Sequence, residues 1–151
     1  MNDPAFAKTK GQVKHMSSED LKILIDLCEQ GNADACSILG NEYYFGWTLD
    51  KDHKKALKYL TYAAEGGDAD SQSLLGSMYY SGEGTEADPE KALKWFLAAA
   101  GQGNAEAMFN AGRILISGTD EEKRRLGKEW LLRYAEKGYD PAMDMLRHIG
   151  F

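Results

Sequence analysis

An all-α solenoid of helical hairpins is the fold this sequence predicts, and three observations predict it. Glycines recur at a fixed step of 36 residues in three series: Gly31, Gly67 and Gly103; Gly40, Gly76 and Gly112; Gly46, Gly82 and Gly118. A period between about 20 and 50 residues marks a repeat array. Within each period two segments carry apolar or small residues at three- and four-residue steps, the spacing of one buried helix stripe. No alternating strand pattern of useful length interrupts them. A single hairpin cannot bury its stripe alone, so successive hairpins stack into a right-handed superhelix with a concave and a convex surface. The expected chain is one domain from residue 16 to 151: an N-terminal capping helix, three full units at about 31–66, 67–102 and 103–137, and a truncated unit at 138–151.

Taken in order, residues 1–15 carry no pattern. They read as a disordered tail, either native or placed ahead of a natural start at Met16, and stay outside the fold argument. The capping helix opens at Ser17 or Ser18 and carries Leu21, Leu24, Leu27 and Cys28 as its stripe. The first helix of each unit starts at Asn32, Asp68 or Asn104, whose side chains accept from the free amides of the first turn. Its stripe is Ala35, Cys36, Leu39 and Tyr43 in one copy and Ala107, Met108, Ala111 and Leu115 in another. A glycine inside a helix costs about 1 kcal/mol relative to alanine. Its recurrence at Gly40, Gly76 and Gly112 implies a neighbouring helix too close for a Cβ. The helix is expected to stop at Gly46, Gly82 or Gly118 in the left-handed conformation.

The second helix starts after Asp52 or Asp88, and Asp88-Pro89 pairs a cap with proline at the first helical position. In the third unit, one residue short in its loop, Thr119 and Glu122 form a capping-box pattern instead. The second stripe is Ala56, Tyr59, Leu60 and Ala63, then Ala92, Trp95, Phe96 and Ala99, then Trp130, Leu131 and Tyr134.

Composition narrows the function. The chain has 151 residues, 43% hydrophobic and 28% charged, which excludes wholesale disorder. No apolar run approaches the roughly 18 residues of a membrane span. The net charge of -6 argues against nucleic acid, which needs clustered positive charge. His15, His53 and His148 are scattered, and no metal-ligand spacing is visible. Gly82-Glu83-Gly84 is an interhelix turn rather than a phosphate cradle, no serine sits in a nucleophile elbow, and Glu121-Glu122 is a solvated helix start. The sequence therefore predicts no catalytic residue, no cofactor and no metal.

It does predict a face for a partner. In a hairpin solenoid the first helices line the concave side. By register that side carries Asp34, Asn41 and Tyr44, then Asp70, Ser77 and Tyr80, then Glu106, Phe109 and Arg113, with Trp47 in the adjoining loop. Apolar anchors inside a charged rim suit a protein or peptide ligand, and acids at the rim favour a basic one. Tyr44 and Tyr80 have a second reading, as packing between helices, and Trp47 as a plug for the first loop. Two further roles stay open: an immunity or inhibitor protein that captures a basic toxin, and a homodimer formed through Met145, Ile149 and Phe151.

The set Ala69, Leu75-Gly76, Tyr79-Tyr80, Gly82-Glu83-Gly84, Asp88, Lys91-Ala92, Trp95 and Ala99-Ala100 resembles the Sel1-like repeat (SLR) family, relatives of the tetratricopeptide repeats. The resemblance runs from about residue 31 to the end. The first unit departs from it with Thr48 at the second loop glycine and His53 at the proline, and the third loses the Gly-x-Gly turn. The resemblance implies a scaffold or adaptor rather than an enzyme. A cell-wall hydrolase activity, proposed for some cysteine-rich members, would lack a nucleophile and base here. Cys28 and Cys36 have two readings, a bridge between facing helices or two buried thiols acting as small hydrophobes. Secreted cysteine-rich members of the family join neighbouring helices with this spacing, but at every junction; here the later equivalents are Ala64 with Gln72 and Ala100 with Met108. One pair is slender support for an oxidising compartment. The cytoplasm is the default expectation, with the periplasm or export if a signal peptide has been removed.

Overall fold

The computed structural model describes residues 15–138 and 141–150. Of the expected disordered tail over residues 1–15, all but His15 lies outside the described residues, as does the proposed contact through Phe151. Among the described residues there are eight helices: α1 Ser18–Glu29, α2 Ala33–Phe45, α3 His53–Glu65, α4 Ala69–Ser81, α5 Pro89–Gly101, α6 Ala105–Ser117, α7 Glu121–Glu136 and α8 Pro141–His148. Each packs against the next in chain order, and the hairpin pairs α2 with α3, α4 with α5 and α6 with α7 are the most intimate. The architecture is a solenoid of consecutive helical hairpins.

The caps explain where the helices begin. Ser17, Asn32, Asp52, Asp68, Asp88 and Asn104 each accept a hydrogen bond from the backbone amide three residues on, an interaction typically contributing about 1 kcal/mol. The third loop corrects two expectations. Its cap is Asp120, which accepts from the Lys123 amide, and not Thr119. Gly118 is extended, with φ -77° and ψ 172°, where Gly46 and Gly82 are left-handed at φ 69° and 75°. The two longer loops turn back and donate Asp52 N and Asp88 N to the carbonyls of Tyr43 and Tyr79. With only residues 118–120 between α6 and α7, the chain has no length for that return and passes straight across.

Inside each hairpin the expected close approach is present. A Cβ added to Gly40 would lie 2.5 Å from Leu60 Cγ, one on Gly76 2.8 Å from Phe96 Cδ1, and one on Gly112 2.7 Å from Leu131 Cγ. The core follows as three clusters along the solenoid, centred on Leu39 and Leu60, on Phe96 and Ala111, and on Leu131 and Leu146.

At the N-terminal end Cys28 is buried and Leu21, Leu24 and Ile25 pack on the first cluster. Leu27, expected in the stripe, is exposed together with Ile23. The reason is positional: α1 stands where a second helix of a unit would, and among the described residues no first helix packs on that flank. At the other end Met145 and Ile149 are half-buried against Leu131, Ala142 and Leu146.

The first helices of successive hairpins lie side by side. Ser71 Oγ donates to Ser37 Oγ at 3.1 Å, Ser37 Oγ donates to Asp68 Oδ2 at 3.3 Å, and Asn104 Nδ2 donates to Asp70 Oδ1 at 3.0 Å. These bonds tie α2, α4 and α6 into one continuous face.

Candidate partner-binding face

The face made by α2, α4 and α6 holds most of the residues singled out from the sequence, in three groups. The first is a shallow pocket of about 220 Å³ where Asn41, Asp70 and Glu106 meet around Phe45, Ser73, Leu74 and Asn104. Asn41, Asp70 and Glu106 come from three different helices, so the repeat register brings them together. Asp34 and Asp70 sit in the first turns of α2 and α4 and Glu106 in that of α6, where a carboxylate also complements the helix dipole. Among the described residues none of these three acids forms an ion pair with a lysine or arginine.

The second group is aromatic. The ring of Trp47 stacks on Phe45 at 4.6 Å between centroids, Phe45 meets Tyr44 edge-on at 4.9 Å, and Tyr44 stacks on His53 at 5.2 Å. Phe45 and Trp47 remain exposed, at 44% and 57%. Tyr44 is half-buried, and its hydroxyl pKa is pushed up to about 12, first by burial, then by the neighbouring Glu83 carboxylate, and last by the charge of Glu106.

The third group joins Tyr80 to Arg113, whose guanidinium carbon lies 5.2 Å from the centre of the Tyr80 ring. That distance is a cation–π contact. Arg113 Nε and Glu83 Oε2 are both buried without a hydrogen-bond partner. Ser77 is half-buried on α4. Phe109 is turned away from the pocket: it is half-buried, tilted against Tyr134 at 5.2 Å, and packs on the last core cluster.

Several residues here escaped the sequence reading. Leu74 looks like core by period, and Asn104 looked like a cap alone. Its Oδ1 does cap α6 by accepting from Ala107 N, which leaves Nδ2 for Asp70. The signal was the amide itself, since an aspartate cap accepts in the same way but has no side-chain donor to offer. Glu83 and His53 read from sequence as loop residues; their proximity to Tyr44 depends on how the second loop folds back, which one sequence does not show.

Cys28 and Cys36 are joined in a disulfide, with Cα atoms 4.8 Å apart. The bridge ties α1 to α2, and the reading of two free buried thiols gives way to it. Among the described residues no group of histidine, cysteine and carboxylate side chains could hold a metal ion, and no helix is long and apolar enough to cross a membrane.

Comparison with known proteins matches the pattern. The family model described as Sel1 repeat fits residues 33–68, 69–104 and 105–139. A Sel1 repeat protein from Oxalobacter formigenes is 32% identical, with a TM-score of 0.71 over 85% of this chain and 98% of that one. The protein c5321, described as a protective antigen present in uropathogenic Escherichia coli strains and displaying an SLR fold, is 30% identical with a TM-score of 0.78; the match covers 86% of this chain but spans 28% of that one. Cysteine rich protein B of Helicobacter pylori is 30% identical with a TM-score of 0.54, over 59% of this chain and 67% of that one. No curated protein matches the chain.

Proposed function

This chain belongs to the Sel1 repeat family, carrying three copies of the repeat, and from that premise we propose that it is a non-enzymatic adaptor that holds a basic protein segment in the groove along α2, α4 and α6. The family makes it a helical scaffold. The observation that carries the finer reading is the unpaired state of Asp34, Asp70 and Glu106 along one face, beside exposed Phe45, Trp47 and Tyr80. Carboxylates without cationic neighbours repel one another, and an incoming cation relieves that repulsion while it is steered to the face. The aromatic rings supply area that a main chain and its side chains can cover.

The disulfide supports an oxidising compartment such as the periplasm in preference to the cytoplasm. A small domain with one bridge at its N-terminal junction gains most where reductants are absent.

Panning a random peptide library against the oxidised protein tests this reading. Selected peptides should be rich in lysine and arginine. Reversing the three acids (Asp34→Lys, Asp70→Lys, Glu106→Lys) should abolish their binding, and raising the salt should weaken it. Peptides without basic enrichment, or equal affinity for the charge-reversed protein, would refute the groove.

A further inference from the structure

We propose that the outer flank of α1 is a second docking surface, which seats an amphipathic helix of a partner protein with a glycine in its apolar stripe and lysine or arginine along its edges. The repeat itself shows what belongs on this flank. Counted back by the 36-residue step, Ile23, Leu24 and Leu27 hold the places of Tyr59, Leu60 and Ala63. In α3 all three are buried, with Leu60 against Gly40 and Tyr59 stacked on Tyr43 of the first helix α2. In α1, Ile23 is 52% and Leu27 38% exposed, and among the described residues no helix takes the corresponding place. The neighbouring helix repeats the pattern. Leu74 of α4 packs on the core beside Asn41 and Phe45 of the preceding first helix, whereas its equivalent on α2, Ile38, is 47% exposed. Both α1 and α2 therefore leave open the place that a first helix fills in the three hairpins. Aliphatic side chains exposed together in this way mark a contact surface.

Two features select the occupant. The first is steric. A Cβ on Gly40, Gly76 or Gly112 would come within 2.8 Å of Leu60, Phe96 or Leu131, the residues at the place of Leu24. A helix seated as closely on Leu24 needs a residue without a side chain there. The second is charge. Asp20 stands at the place of Ala56 and Ala92, which are fully buried in their hairpins. Glu19 and Asp26 lie one turn either side of Ile23. All three acids are exposed, among the described residues none forms an ion pair, and Lys22 is the one cation on α1. An uncharged helix would leave Asp20 facing an apolar seam, whereas a lysine or arginine opposite it compensates the charge and steers the approach. A second copy of this chain does not meet these terms. Its own α1 is equally acidic. Its α8 carries Arg147 at the glycine place, because Arg147 follows Gly112 by the same 35 residues as the buried Ala142 and Leu146 follow Ala107 and Ala111. The flank is separate from the groove pocket, so this proposal and the groove reading stand or fall independently.

The probe is a helix-stapled peptide patterned on the 13 residues Ala69–Ser81 of α4, with its glycine and apolar stripe kept and its outward positions made lysine. It is added to the oxidised protein, residues 1–151, and followed by amide NMR. Saturable shifts should centre on Ile23, Leu27 and Ile38. Replacing the peptide's glycine by leucine, or its lysines by glutamate, should weaken binding on the order of tenfold. Ile23→Gln with Leu27→Gln should remove the shifts at an unchanged melting temperature, since both side chains already meet solvent. Asp20→Asn with Asp26→Asn, which leaves the apolar patch intact, should weaken binding severalfold and flatten its salt dependence. Asp70→Lys with Glu106→Lys, which alters the groove alone, should bind the peptide as the parent does. Shifts that are absent or fall on Tyr80 and Arg113 overturn the proposal. Equal binding of the leucine or glutamate peptide does so too, as does binding unaltered by the change at Ile23 and Leu27. Two findings on the protein alone also overturn it. Nuclear Overhauser contacts from residues 1–14 to Ile23 and Leu27 would make the chain its own occupant, and a concentration-dependent dimer with shifts at the same residues would make a second copy the occupant.

Discussion

Gly112 and Gly127 meet backbone to backbone across the third hairpin. A Cβ on Gly112 would stand 3.0 Å from the Gly127 carbonyl oxygen, and a Cβ on Gly127 would stand 2.9 Å from that of Gly112. The first two hairpins hold Ala56 and Ala92 at the position of Gly127, both fully buried. Their helices therefore keep room for a methyl group that α6 and α7 have given up. Gly127→Ala restores the residue of the other repeats and gains up to about 1 kcal/mol of helix propensity. It also drives a methyl to 2.8 Å from both Leu115 Cβ and Ile116 Cγ2, and such overpacking costs about 1–3 kcal/mol. The expected net effect is a loss of about 1–2 kcal/mol in urea titration. Gly101→Ala is the control, because nothing lies within 4 Å of a Cβ there; it should be neutral or stabilising. A Gly127→Ala protein as stable as its parent would show that α6 and α7 part at little cost.

The period, the hairpins, the caps and the close-packing glycines were legible because each is a local demand that repeats. One copy of Asn32 or Gly40 is ambiguous, and three copies at one step are not. The departures cluster where the repeat itself breaks. Thr119 lost the cap to Asp120 because shortening the loop moved the helix start, and periodicity carries no information about a deletion's local repair. Thr48 replaces the second loop glycine without harm for a related reason. In the second unit, Gly84 lies against the His53 carbonyl with φ +72°. In the first unit Thr48 stands there instead and is held by Glu42, whose Oε2 accepts from its Oγ1 at 2.7 Å. On the candidate face, register located Asp70 and Glu106, since helix period fixes direction. It did not locate Glu83 beside Tyr44, since loop conformation does.

The disulfide should govern α1 and little else. Closing an eight-residue separation limits the unfolded chain by about 2–3 kcal/mol in the loop-entropy account. In a solenoid each element contacts its neighbours alone, so the loss on reduction stays local. Hydrogen exchange of the reduced protein should show α1 amides losing protection first, with α4 to α7 unchanged at the same pH and temperature. Uniform loss of protection along the chain would mean that the array folds as one cooperative unit.

Tyr44 predicts alkaline sensitivity. Its hydroxyl pKa is pushed from the ordinary tyrosine value of 10.0 up to about 12, by burial and then by Glu83. The folded state thus holds this proton more tightly than the unfolded state. Stability from Tyr44 is complete below about pH 10 and is lost as the pH climbs toward 12, because the unfolded chain ionises first. Tyr44→Phe should flatten the fall in melting temperature across that window. Glu83→Gln should bring the tyrosinate absorbance of Tyr44 to lower pH. A titration of the parent in which all tyrosines ionise together near pH 10 would contradict the burial of this hydroxyl.

A second bridge should form one repeat further on. Gln72 and Ala64 occupy the positions of Cys36 and Cys28, and the backbone at the two junctions is the same: Gly31 and Gly67 have φ 89° and 93°. Gly31 N donates to Cys28 O at 2.9 Å where Gly67 N donates to Ala64 O at 3.0 Å, and Asn32 N and Asp68 N repeat each other's bonds at 3.1 Å. The Cα separation of 4.8 Å between Cys28 and Cys36 should therefore recur, inside the range that a disulfide spans. Ala64→Cys with Gln72→Cys sacrifices two bonds, Gln72 Nε2 to Ala64 O at 3.0 Å and Gln102 Nε2 to Gln72 Oε1 at 2.9 Å, worth about 1 kcal/mol each. The carbonyl of Ala64 keeps the Gly67 amide and Gln102 keeps the Gly67 carbonyl at 3.0 Å, so neither is orphaned. Against that loss the bridge contributes about 2–3 kcal/mol, for a net gain of about 1 kcal/mol visible as a higher melting temperature under oxidising conditions and lost on reduction. Two titratable thiols in the oxidised double variant, or none with an unchanged melting temperature, would show that the junctions differ in a way their backbones do not reveal.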